Sequence, residues 1–109
     1  MTAEGFRRAA LGLPEATEGA HHGHADFRVG GKIFATLAAE KDGCGVLLLE
    51  PEQQAELMAD APEVFSPVPG GWGRQGATLV RLAKATPAAL DAALRTAWGR
   101  RAPKRLRRP

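Results

Sequence analysis

Two side chains suited to holding a nucleotide stand two positions apart in Trp72-Gly73-Arg74-Gln75-Gly76. An indole stacks on nucleobases. A guanidinium pairs with phosphates or with the edge of guanine, and an amide such as that of Gln75 can read adenine. Pro69-Gly70-Gly71 precedes the stretch and an apolar, β-branched run, Thr78 to Leu82, follows it. Thr and Val fit a pleated surface, so the expected arrangement is a glycine-rich turn feeding a strand. Loops held by rigid elements are where binding chemistry concentrates. Arg81 and Lys84 extend this patch if they face the same way. The bland alternative is an indole folded back as a lid on the core beside a solvated arginine.

A second cationic feature is the chain end. Of the fifteen Lys and Arg residues, six lie in 100–109: Arg100, Arg101, Lys104, Arg105, Arg107 and Arg108. No acid accompanies them. The other nine stand against all twelve acidic residues in 1–99, so the body sums to −3 and the tail to +6. The sequence pI of about 9.6 therefore comes from the tail. Such a tail attracts polyanions without sequence choice. It serves equally well as a solubilising end or as a complement to a helix C-terminus.

Other constellations are weaker. His21-His22-Gly23-His24 puts His22 and His24 on one side of an extended chain, but a zinc site needs a third ligand. Metal spacings of the C-x-x-C or H-E-x-x-H type are absent. Ser66 is the only serine and lies outside any nucleophile elbow. Cys44, the only cysteine, opens an apolar strand and reads as a buried, unreactive thiol. The glycines fit neither a Walker loop nor a dinucleotide fingerprint. The expectation is no catalytic residue, no metal and no cofactor.

The elements that must position these residues follow from pattern. Thr2 caps a helix from Ala3 to about Gly12, with Phe6, Ala9, Ala10 and Leu13 on one face. Thr17 to His24 reads as a short Gly- and His-rich connection. Ala25 to Val29 alternates, Gly30-Gly31 signals a hairpin, and Lys32 to Ala38 returns. Cys44 to Glu50 is a third strand, apolar on both faces at Val46 to Leu49, as in a covered central strand. Pro51 opens a helix running over Gln53 to Asp60, with Ala55, Leu57, Met58 and Ala61 inward. Glu63 to Gly71 reads as a loop with a short extended piece pinned by Phe65. Thr86-Pro87 starts a last helix whose stripe of Leu90, Ala93, Leu94, Ala97 and Trp98 faces the core. Hairpin-length connections force antiparallel pairing. The expected fold is α+β, a single domain in the order α-β-β-β-α-β-α, with helices on one face of an antiparallel sheet. Residues 1–101 form the domain, and 102–109 a flexible basic tail.

The chain resembles the MmcQ/YjbR family of small bacterial proteins over nearly its whole length. Leu13-Pro14-Glu15-Ala16-Thr17-Glu18 and Phe27-Arg28-Val29-Gly30-Gly31-Lys32-Ile33-Phe34-Ala35 carry the resemblance. So do Trp72-Gly73-Arg74-Gln75-Gly76 leading into Val80-Arg81-Leu82, and Ala97-Trp98 followed by Ala102-Pro103-Lys104-Arg105-Leu106. The resemblance implies an antiparallel α+β fold similar to secretion-chaperone-like domains, and a DNA-binding label applied across the family. Ala77 departs from it, standing where relatives often carry a bulky aromatic, so an aromatic platform there rests on Trp72 alone.

The expected function is a non-enzymatic, weak and salt-dependent nucleic-acid (DNA) binding module. Its contacts would be Trp72, Arg74, Gln75, Arg81, Arg100, Arg101, Lys104 and Arg105. The rival is a protein-interaction or small-ligand module using the sheet. No apolar run approaches the ~20 residues of a membrane span. With no secretory leader and a lone cysteine, the expected setting is the cytoplasm, as a monomer or weak dimer.

Overall fold

Val46 to Leu49 is the most continuous apolar run, and its strand sits at the centre of the sheet. The computed structural model describes residues 1–107 of the chain. Its elements are α1 (Ala3–Leu11), β1 (Thr17–His21), β2 (His24–Val29), β3 (Lys32–Thr36), β4 (Cys44–Leu48), α2 (Pro51–Asp60), β5 (Phe65–Pro67), α3 (Gly71–Arg74), β6 (Ala77–Arg81), α4 (Pro87–Arg101) and α5 (Lys104–Arg107). A 3-10 turn, Glu40–Asp42, joins β3 to β4. The six strands form one sheet in the order β1-β2-β3-β4-β6-β5, and every neighbouring pair is antiparallel.

Register fixes which side chains share a face. Gly45 pairs with Val80 and Val46 with Leu79. Because the pleat alternates, Gly45, Leu47 and Val80 face one way, Val46 and Leu79 the other. A Cβ on Gly45 would lie 2.4 Å from the ring of Phe6, so α1 presses directly on the first face. Helix α4 packs on β3 and β4 and against α1. Phe6, Phe27, Phe34, Leu47, Leu90 and Leu94 are fully buried in this layer. The expected helix stripe of α4 is the buried one, and Trp98 donates its indole N–H to the Pro14 carbonyl at 3.0 Å. Thr2 and Thr86 cap their helices through side-chain oxygens, as their positions require.

The structure departs from the sequence expectations at four places. Thr17–His21 is an edge strand, closed onto β2 by a hairpin at His22-Gly23; its composition carries little β-propensity, and pairing with β2 supplies what propensity does not. The short extended piece expected at Phe65 is present as a second edge strand, Phe65–Pro67, paired with β6, with Phe65 buried. The glycine-rich turn is a one-turn helix, α3. The basic end folds over 104–107 as α5, with Leu106 packed against the core, whereas a flexible tail was expected; Arg108 and Pro109 lie outside the described residues. Within α2, Ala55 faces solvent, while Leu57, Met58 and Ala61 pack on the core as expected.

Candidate functional site

Two of the glycines around Trp72, Gly73 and Gly76, allow close packing. A Cβ on Gly73 would fall 1.7 Å from the Val68 carbonyl oxygen, and one on Gly76 (φ +115°) 1.8 Å from that of Leu49. Only glycine lets α3 sit this tightly between the segment after β5 and the end of β4. Gln54 of α2 clamps the same turn, donating to the carbonyls of Gly73 (3.0 Å) and Ala77 (2.9 Å). The indole of Trp72 is therefore carried by a braced turn, and it remains 41% exposed.

Four of the expected contact residues meet here. Trp72 and Gln75 line one pocket of about 110 Å³ with Arg100 and Arg101 from the last turn of α4. Leu48, Leu49 and Ala77 complete it; nothing in their local pattern marks them, because backbone approach alone brings them in. The two arginines differ. Arg100 is held by Glu50, Nε to Oε1 at 2.7 Å, and donates to the Leu48 carbonyl at 3.3 Å. Its hydrogen bond holds the Glu50 carboxyl below the usual range. Arg101 is half-buried, and its Nε is buried without a hydrogen-bond partner among the described residues. A desolvated, unpaired guanidinium N–H is costly.

The remaining expected contacts lie elsewhere. Residues two apart on a helix point about 200° apart, so Arg74 leaves Trp72 and lines a separate depression with Gln54 and Val68. Arg81 pairs with Cys44 at the far end of β6, about 13 Å along the strand from Ala77. Neither Arg74 nor Arg81 therefore lines the pocket of Trp72 and Arg101. Lys104 is exposed on α5. Arg105 is engaged in a bidentate pair with Glu15, both contacts at 2.7 Å, and holds that carboxyl low.

The histidines form no metal centre: no group of three His, Cys, Asp or Glu side chains gathers among the described residues. Instead His21 Nδ1 lies 2.8 Å from the carboxylate of Asp26, which also accepts from Arg28 Nε at 2.7 Å and Nη2 at 3.0 Å. Asp26 is fully buried, and these bonds, Arg28 first, hold its carboxyl below the usual range. Alternation alone put Asp26 and Arg28 on a polar face. Their enclosure depends on β1, where Gly19 pairs with Asp26 and leaves room a Cβ would fill. Cys44 is buried as expected, and burial pushes its thiol up, away from reactivity.

No helix among the described residues is long and apolar enough to cross a membrane. No curated protein matches the chain. The crystal structure of Deinococcus radiodurans protein DR2400, a DUF419-domain protein, is similar in fold: TM-score 0.70 at 20% identity, covering 90% of this chain and 76% of that one. The YjbR family model matches residues 11–100, a span running from the end of α1 through the sheet, the braced indole turn and the first pocket arginine. By that match the chain belongs to the YjbR family.

Proposed function

We propose that this protein is a non-enzymatic nucleic-acid-binding module that holds one nucleotide unit of a strand, preferably single-stranded DNA, in the Trp72–Arg101 pocket. The observation that carries the reading is the meeting of an exposed indole with a guanidinium whose Nε is buried without a partner among the described residues, across 29 positions of sequence. An indole offers a stacking platform to any base, and a guanidinium offers a phosphate two donors. The pocket, at about 110 Å³, suits a phosphate with the base lying outside on the indole. Gln75 at its rim offers an amide to a base edge. Arg100 adds charge, partly neutralised by Glu50, and Lys104 lies nearby in sequence. Arg81 and Arg74 contribute only distant attraction, and Arg105 is engaged with Glu15.

Fluorescence anisotropy of a labelled single-stranded oligonucleotide, with the duplex beside it, tests this. Stacking is worth about 1–3 kcal/mol per base, so Trp72→Ala weakens binding roughly tenfold. Arg101→Ala does so comparably, and Arg81→Ala changes it less than about threefold. Binding indifferent to both Trp72→Ala and Arg101→Ala, or no binding at low salt, overturns the reading.

A further inference from the structure

The sheet face opposite α1 and α4 carries a further cavity, which the nucleic-acid reading does not use. Its floor is the cross-strand pair Val46 and Leu79, at the centre of the sheet. Val68, Pro69 and Trp72 wall one side, and Ala38 and Asp42 the other. The cavity measures about 300 Å³, the lower end of the range for small-molecule sites. Its lining is aliphatic and aromatic with one ionisable group, the Asp42 carboxylate, which makes no ion pair among the described residues.

We propose that this cavity binds a small organic monocation: a primary amine carried on one apolar ring. Three observations select that class. The volume admits one ring with a short aliphatic arm. The only ionisable residue lining it is Asp42; Arg81 stands on the same sheet face, two residues beyond Leu79, but does not line it. The indole offers a π face, and a cation within about 6 Å of such a ring is attracted by its quadrupole, more strongly once water is excluded. The ring lies over Val46 and Leu79, and the ammonium sits between Asp42 and the indole.

The site is independent of the anion pocket except for sharing Trp72 as a wall. The test is an NMR titration of the full isotope-labelled chain with 2-phenylethylamine, 2-phenylethanol and 3-phenylpropionate, three probes of one shape and different charge. The amine moves the Trp72 indole N–H and the Val46 and Leu79 methyl signals saturably, and binds about tenfold more tightly than the alcohol. Asp42→Asn, at an exposed turn position, removes that advantage and leaves the alcohol unchanged. Leu79→Trp fills the cavity and abolishes binding, with circular dichroism to show the fold intact. Arg101→Ala leaves amine affinity as it was, which separates failure here from failure of the nucleic-acid reading. Equal binding of the three probes, no shifts at millimolar amine, or shifts mapping to other side chains overturns the proposal. So do shifts of these signals that follow protein concentration without any probe, which would make the face a contact between copies.

Discussion

At the residue scale, the buried carboxylate of Asp26 is the most consequential polar group in the chain. Three hydrogen bonds from Arg28 and His21 surround it on a strand face that alternation leaves looking ordinary. The partners left behind, Arg28 and His21, are each about a third exposed and can turn to water, so Asp26→Asn lowers stability by about 1–2 kcal/mol in urea denaturation. The sign with pH follows from its depressed carboxyl. The stabilisation is fully present above the ordinary aspartate value, about pH 4, and is lost as pH falls through the lower folded value. Wild-type stability should therefore decline more steeply below pH 4 than that of Asp26→Asn. The indole of Trp98 is a smaller case. Trp98→Phe removes one hydrogen bond, to Pro14, and costs about 1–2 kcal/mol in the same measurement.

At the element scale, α3 shows why composition misled. Glycine density at 70–76 resembles a mobile loop presenting its side chains freely. Gly73 and Gly76 instead permit contacts with the Val68 and Leu49 carbonyls that no Cβ allows. Gly76→Ala should lower stability by about 2 kcal/mol or more, at a position whose φ also disfavours any side chain. The melting temperature would report this, with Trp72 emission reporting the displaced turn. Turning a loop into one helical turn also separates Trp72 from Arg74, which no reading of residue types could reveal. At the other end, α5 is tied down by Leu106 and the Glu15–Arg105 pair. Arg105→Ala should leave the melting temperature nearly unchanged, because both partners are exposed and water screens the pair. Truncation after Ala102 lowers it more, through the lost Leu106 packing.

At the scale of the molecule, charge decides how binding should behave. An acidic body beside a basic end gives a weak general field, so specific attraction must come from a few placed cations. If two phosphates are neutralised on a single strand, the slope of log K against log salt is about −1.4, and Arg101→Ala reduces its magnitude by about 0.7. A slope several times steeper would mean that the basic end does the binding and the pocket does not.

The chain's residues were enough to determine the class of fold, because the signals concerned are local: the Gly30-Gly31 hairpin, the helix caps at Thr2 and Thr86, and the apolar stripe of α4. They also singled out Trp72, Gln75, Arg100 and Arg101 among the candidate contacts. Which of the cations meet the indole was decided only by the tertiary structure. The end of α4 arrives beside α3 through the packing of both on the sheet, while a strand's length holds Arg81 away. Helical rotation turns Arg74 aside and ionic pairing engages Arg105. Those are relations between elements, and a periodicity within one element cannot encode them.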